Sequence, residues 1–360
     1  MTDPSDPSNA SDTSGPTEVS DPSGTAPPGP PSTSPPPSAG RFGARYFTIE
    51  GRAAPALFVL GWLGTVVGLG VTAIGFAAGA TGAALVVLAI GLLVLSIGIV
   101  SAAGSQAIER RAVGGHAYAG PSPLLVFAAS IPVGYLVLLA VGTPLAALGL
   151  QPARPVVELL LLAIQALVYV GLVALLVVGM GALSWREMGW VSTARAAAVD
   201  LAWGAVFAGP VIGVTIVVSG VLVALFQVVP EGPLPPTGEA SGLVLHLVAG
   251  AILAPIGEEV LFRGVAVTAW ARTFGAQGAI VRSAIFFAIV HVLLLGGSSI
   301  GEATGLAVVG FASRLPVALV LAWVYLRRRS IYAAIGLHGA FNAVLIVVSE
   351  LGAGAVEGAG

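Results

Sequence analysis

The feature that most constrains this chain is a series of long apolar runs between residues 54 and 349. Each run is close to or longer than the ~20 residues that an α-helix needs to cross the hydrocarbon core of a bilayer. Because backbone groups in lipid must bond within their own segment, such runs fold as transmembrane helices. The sequence predicts an all-α, polytopic transmembrane bundle of about nine spans, at residues 54–78, 81–103, 122–149, 155–181, 199–229, 241–262, 277–295, 304–326 and 331–349.

Composition supports the membrane assignment and excludes several functions. Hydrophobic residues make up 56% of the chain and charged residues 9%, whereas a soluble domain carries roughly 25% charged residues. The chain has no cysteine, which excludes disulfides, thiolate metal sites and cysteine nucleophiles. The net charge is −2 and no basic patch with interleaved aromatic residues is present, so nucleic acid is not an expected partner.

The polar segments divide the chain into four predicted parts. Residues 1–40 are rich in Ser, Pro, Asp and Gly and form a predicted disordered tail, without the charged start and apolar core of a signal peptide. Residues 41–198 hold N-terminal transmembrane helices of unknown role. Residues 199–349 hold the transmembrane core that carries the polar motifs described below. Residues 350–360 are predicted to be a flexible C-terminal tail.

Arginine placement predicts the orientation of the spans. Arg41, Arg45 and Arg52 precede the first span, which places the N-terminus in the cytoplasm by the positive-inside rule. Alternate counting then places the C-terminus outside. Under this count the loops on the outer side hold only Arg154. The cytoplasmic loops hold Arg110, Arg111, Arg186, Arg195, Arg263, Arg272 and residues 327–329.

The first polar motif is the sequence Glu258-Glu259, followed by Arg263. Ionisable residues inside a span are costly and point to function. Glu259 and Arg263 are four residues apart and share a helix face, which predicts an ion pair. Glu258 is turned from Glu259 by about 100° and is left free. A purely structural ion pair would explain Glu259 and Arg263 but not Glu258.

Two further motifs follow on later helices. Phe287 and His291 are four residues apart, as are His338 and Asn342, so each pair shares a helix face. A single histidine in an apolar helix is more often a packed side chain than a catalyst, and His246 and His116 are assigned that role.

Depth in the membrane distinguishes the motif histidines from these two. His291 lies nine residues after Arg282, and His338 nine residues after Arg329. With the arginines taken as interface markers, both histidines lie roughly 13 Å below the cytoplasmic face. Glu258 is bracketed at the same level by Arg263 and Arg272. The sequence therefore predicts that three helices bring a carboxylate, two imidazoles and an amide together, as a hydrolytic site requires.

These three motifs, Glu-Glu-x-x-x-Arg, Phe-x-x-x-His and His-x-x-x-Asn in this order on successive helices, resemble those of the CAAX-protease and bacteriocin-processing (CPBP) family. The resemblance covers about residues 241–349, and the stretch from Ser184 to Trp190 is similar to the segment that precedes such cores. It implies an intramembrane endopeptidase of the CAAX type. Prenylated CAAX tails are the substrates of the family's eukaryotic members.

The resemblance also implies roles for individual residues. Glu258 would be the base that activates water, and His291 would hold that water. His338 and Asn342 would stabilise the oxyanion. The supporting residues would be Glu259, Arg263 and Phe287.

Two other hydrolytic mechanisms compete with this one. Zinc is a possible cofactor, since Glu258, His291 and His338 could supply three ligands. However, a His-Glu-x-x-His helix is absent, and the family resemblance favours hydrolysis without an obligatory metal. No Gly-x-Ser-x-Gly turn lies near the histidines, which argues against serine catalysis.

Non-proteolytic functions form the other alternative. Some related proteins resemble membrane scaffolds or immunity proteins, and intramembrane Glu, His and Arg also suit a proton-coupled transporter. No internal repeat is evident, and the polar residues concentrate in the last third of the chain, which favours the enzyme. The expected partners are membrane lipids and a membrane-protein or lipidated-protein substrate, cut near its C-terminus or in a membrane-adjacent segment.

Overall fold

The structure, a computed structural model, describes residues 48–79, 82–190, 193–230, 234–293 and 295–357. The predicted disordered tail at residues 1–40 lies outside the described residues, as do the orientation markers Arg41 and Arg45.

The described residues are α-helical and contain no strand, which confirms the predicted fold class. The α-helices are α1 (Pro55–Ala77), α2 (Gly82–Val113), α3 (Pro123–Ala147), α4 (Arg154–Val173), α5 (Ala194–Ala205), α6 (Ala208–Phe226), α7 (Ala240–His246), α8 (Ala254–Glu259), α9 (Thr268–Val290), α10 (Ile300–Arg328) and α11 (Ile331–Glu357). Three π-helical segments join or extend them, at Ala174–Val178, Leu247–Leu253 and Val260–Val267.

Eight helices among the described residues are long and apolar enough to cross a membrane. The sixth, Ala240–Val290, has 51 residues and would be about 77 Å long if straight, more than twice the hydrocarbon thickness. It turns back at Gly275, whose backbone (φ 74°, ψ 172°) is not helical and is readily adopted only by glycine. Eight candidate helices are therefore consistent with about nine predicted spans.

Contacts across the turn show that this segment is a helical hairpin. The Ser283 hydroxyl donates to the carbonyl oxygen of Phe262 at 3.3 Å. The ring of Phe262 lies 5.1 Å from that of Phe286 and 5.1 Å from that of Phe287. Residues more than 20 positions apart could not meet in this way along one straight helix.

The helix before the turn lies at the centre of the molecule. Every residue of the π-helical segment Val260–Val267 is buried, and the surrounding core draws on α3, α4, α9, α10 and α11. π-Helical turns are rare and occur frequently at functional sites. Here two of them, Leu247–Leu253 and Val260–Val267, flank the short helix α8 that carries both motif glutamates.

One orientation marker does not lie where the sequence analysis placed it. Arg263 was assigned to a cytoplasmic loop, but it is fully buried within the central helix. Its charge is retained there because a carboxylate one turn earlier neutralises it. Arg272 and Arg282, in contrast, flank the turn at Gly275.

Candidate active site

A buried ion pair forms the base of the site. The Arg263 guanidinium donates from Nη1 to Glu259 Oε1 at 2.9 Å, and both side chains are 0% exposed. Arg263 also donates to the carbonyl oxygen of Ala318 on α10 at 3.5 Å. Its Cζ lies 4.5 Å from the ring centre of Phe287. The predicted pairing of Glu259 with Arg263 is confirmed.

Glu259 also holds a histidine from the last helix. Its Oε1 lies 2.7 Å from Nδ1 of His338, which is buried on α11. A carboxylate accepts and does not donate, so His338 donates from Nδ1. One oxygen therefore fixes both Arg263 and the orientation of the His338 ring.

Glu258 is the carboxylate that the ion pair leaves free. The residue is 8% exposed, and its Oε2 has no hydrogen-bond partner among the described residues. This oxygen lies 3.6 Å from Nε2 of His291 and 3.9 Å from Nε2 of His338. Both separations exceed a direct hydrogen bond, yet the three side chains come from α8, the end of α9 and α11. The predicted meeting of the Glu258 carboxylate with the two imidazoles is confirmed.

His291 stands at the end of a helix and not within one. The sequence analysis extended this span to residue 295, but α9 ends at Val290. His291 Nδ1 lies 2.7 Å from the carbonyl oxygen of Phe287, which can only accept, so Nδ1 is the donor. The ring packs on Phe287 with the centroids 4.2 Å apart. These contacts turn Nε2 toward Glu258.

Asn342 lies one turn after His338 but has a different partner. Its Nδ2 donates to the carbonyl oxygen of Gly250 at 2.8 Å. Gly250 belongs to the π-helical segment Leu247–Leu253, where carbonyl groups depart from the α-helical pattern. The amide has a second N–H that this bond does not use.

The first half of the chain supplies a residue that the sequence analysis missed. Gln165 on α4 donates from Nε2 to Glu258 Oε1 at 3.2 Å. The contact depends on a close approach of the two helices, since a Cβ at Gly257 would lie 2.6 Å from the Cα of Ala166. A polar amide within an otherwise apolar run was the signal available in the sequence.

The histidines of the site share one feature with zinc-binding histidines. Each of the two histidines uses Nδ1 for a buried acceptor, which is typical of zinc ligands. However, no group of three or more His, Asp or Glu side chains in the described part of the chain is arranged to hold a metal ion.

The two histidines assigned to packing lie away from this site. His116 is exposed in the loop after α2. His246 is buried but is not an isolated side chain, because its Nε2 lies 2.7 Å from Glu158 Oε2. Arg154 pairs with the other oxygen of Glu158 at 2.9 Å.

The loop that resembles a segment preceding CPBP cores is held against the core. Glu187 accepts from the backbone N–H of Ser184 at 2.7 Å and pairs with Arg272 at 2.7 Å. These bonds, the Ser184 backbone first, lower the pKa of Glu187 to about 2. The N–H of Ile331 donates to the carbonyl oxygen of Gly189, which ties the loop to the start of α11.

Residues 240–344 match the family model of type II CAAX prenyl endopeptidase Rce1-like proteins. The chain carries an Rce1-like domain. This domain includes Glu258, His291 and His338, and Gln165 lies outside it. No curated protein and no solved structure matches the chain. The chain is thus an integral membrane protein in which residues 240–344 form the Rce1-like domain.

Proposed function

We propose that this chain is an intramembrane endopeptidase in which Glu258 activates the attacking water. The observation that carries the proposal is the buried Oε2 of Glu258, which has no hydrogen-bond partner in the described chain and faces Nε2 of both His291 and His338. A carboxylate held free of its neighbouring ion pair can take a proton, which is the task of a general base.

The spacing of Glu258 and His291 suits a bound water. A water about 2.8 Å from Oε2 and from Nε2 fits beside two atoms that are 3.6 Å apart. Because His291 uses its Nδ1 proton on Phe287, neutral His291 accepts at Nε2. The water donates one hydrogen to each acceptor and turns a lone pair toward the substrate.

The proposed reaction is amide hydrolysis. The water oxygen attacks the scissile carbonyl carbon while Glu258 takes a water proton. The tetrahedral oxyanion then collapses, the C–N bond breaks, and Glu258 returns the proton to the leaving amine. The products are a new carboxyl end and a new amino end.

His338 and Asn342 are the proposed oxyanion donors. Asn342 has one N–H left after its bond to Gly250. His338 donates to Glu259 from Nδ1, so it must carry a second proton to donate from Nε2.

The proposed orientation places the N-terminus in the cytoplasm and the C-terminus outside. A site within the membrane that opens toward the cytoplasm suits a lipid-anchored or single-span protein. The proposed cleavage lies near the C-terminus or in a membrane-adjacent segment of such a protein.

The test replaces the proposed base without changing its shape. Host cells carry the wild type or Glu258→Gln at equal expression, and protein termini are compared across the proteome. We expect termini from membrane proteins to vanish in the variant, because loss of a general base costs roughly 10²–10⁴ in rate.

A matched control uses Glu158→Gln, which alters another glutamate within a span that also faces a histidine. It should keep the wild-type termini. If Glu258→Gln also keeps them at equal protein level, Glu258 is not the base. If neither the wild type nor the variant generates specific termini, the function is not proteolysis.

A further inference from the structure

A charged residue in the middle of α10 has no role in the site described above. Arg314 lies fourteen residues from Ile300 and fourteen from Arg328, the two ends of that helix. It is therefore about 21 Å from either end, within the hydrocarbon region. A cation at such a depth is costly and normally pairs with an anion or serves a function.

Arg314 lacks an anionic partner within the described chain. Its Nη1 donates to the carbonyl oxygen of Gly310 in its own helix at 2.8 Å. No carboxylate among the described residues lies within ion-pair distance of it. Glu258 attracts the guanidinium only across a gap. The remaining N–H groups of the half-buried guanidinium are thus available to a ligand.

The position of Arg314 connects it to the proposed site. A Cβ built on Gly310 would lie 3.1 Å from the Val292 side chain, 3.1 Å from that of Leu295 and 3.2 Å from Arg314 Nη1. Val292 directly follows His291, so the guanidinium lies against the segment that leaves the site.

An apolar groove begins at the same place. It has a volume of about 620 Å³ and runs from Val292 along the first half of α10. Its lining residues are Val292, Ile300, Ala303, Thr304, Ala307, Val308, Phe311 and Ala312. An apolar groove that begins at Val292, with the Arg314 guanidinium close to that residue, fits a chain of apolar side chains that ends in an anion.

We propose that Arg314 binds the C-terminal carboxylate of the substrate. The inference rests on the proposed protease function and assigns the residue that holds the free end of the substrate. A carboxylate matches the planar guanidinium donors. A lipid phosphate shares this chemistry but lies at headgroup level, about 21 Å from Arg314 along the helix.

The test crosses two forms of the enzyme with two forms of one peptide. The probe is a fluorogenic peptide that ends in farnesyl-Cys, two aliphatic residues and Met, made with a terminal carboxylate or a terminal amide. We expect amidation to lower wild-type kcat/KM by roughly 10- to 100-fold, as expected for lost hydrogen bonds to a charged group. Arg314→Gln should lower kcat/KM for the acid equally and leave the amide unaffected.

Arg282→Gln is the matched control for this experiment. Arg282 also donates from Nη1 to the carbonyl oxygen four residues earlier in its helix, that of Gly278, but it lies at the turn far from His291. This variant should keep the wild-type preference for the acid. Arg314→Lys, which keeps the charge, should recover part of the preference and guards against misfolding of the Gln variant.

A binding measurement separates the inference from the proposed function. The same peptides are titrated into the Glu258→Gln protein with and without Arg314→Gln. If the acid binds more tightly than the amide only when Arg314 is present, and the wild type cleaves neither peptide, the carboxylate site is supported and the protease function is rejected. If the wild type cleaves the two peptides equally well, or the Glu258→Gln protein binds them equally tightly, the proposed role of Arg314 is wrong. The role is also wrong if Arg314→Gln lowers the activity on the acid and the amide equally, whether or not anionic lipid restores that activity.

Discussion

At the scale of single residues, the site depends on how the two glutamates divide their contacts among the neighbouring side chains. Glu259 Oε1 is used twice, by Arg263 and by His338. Among the described residues, Glu258 is bonded only at Oε1, by Gln165, and keeps Oε2 for the space between the histidines. The ion pair therefore does not compete with the proposed base, and the Gln165 amide fixes which oxygen of Glu258 faces that space.

Gln165 is a predicted positioning residue for Glu258. Gln165→Leu removes the hydrogen bond to Oε1, and we expect kcat to fall roughly 10-fold because the bond is to a charged group. KM and the melting temperature should stay near wild type, since Gln165 acts through Glu258 and not on the substrate. Steady-state kinetics in detergent, with a peptide that the wild type cleaves, measure kcat and KM separately.

The control for this prediction is Gln106→Leu. Gln106 is another amide within a span, and its oxygen accepts from the N–H of Ser122, away from the site. A rise in KM as large as the fall in kcat/KM in Gln165→Leu would contradict a positioning role.

The sequence predicted contacts that follow from spacing along one helix or from depth. The bond between Glu259 and Arg263 follows from a separation of four residues. The meeting of Glu258 with both histidines was predicted from distances to flanking arginines, although one of these markers, Arg263, is buried in the core. Gln165 and the Gly250 partner of Asn342 could not be predicted in this way. Both contacts join residues about 90 positions apart and depend on close helix packing and on a π-helical carbonyl.

At the scale of elements, the short loop after α4 connects three parts of the core. Trp190 lies edge-on to Tyr332 at 5.4 Å, and Met188 is fully buried. Glu187 pairs with Arg272 near the hairpin turn. The loop therefore holds α9 and α11, which carry the two site histidines, in fixed relation to each other.

The pH dependence of this link follows from the lowered pKa of Glu187, which falls from 4.5 to about 2 on folding. A carboxyl whose pKa is lowered stabilises the fold above pH 4.5, and this contribution is lost as the pH falls toward 2. Because the Glu187 side chain is 47% exposed, solvent screening keeps the effect small. We expect Glu187→Gln to lower the melting temperature by about 2 °C at pH 7.

The same difference should shrink between pH 4.5 and 2. Melting curves in detergent, recorded for both proteins across this range, measure it. A difference that stays constant with pH would show that the lost packing of Glu187 matters and its charge does not.

At the scale of the whole molecule, the proposed orientation can be tested without background labelling because the chain has no cysteine. Gln151 lies in the exposed loop between α3 and α4, and Arg186 in the loop after α4. We expect Gln151→Cys to react with a membrane-impermeant maleimide on intact cells. Arg186→Cys should react only after the membrane is permeabilised, and the reverse pattern would invert the topology.

The hairpin at Gly275 has a consequence for biosynthesis. It places Glu258 and His291 in one continuous segment that can insert as a unit, whereas His338 and its bond to Glu259 arrive only with α11, which is synthesised later. Until α11 is made, both proposed oxyanion donors, His338 and Asn342, are missing. The proposed site is therefore assembled in two steps during synthesis, with the proposed base and the histidine beside it made before the helix that supplies His338 and Asn342.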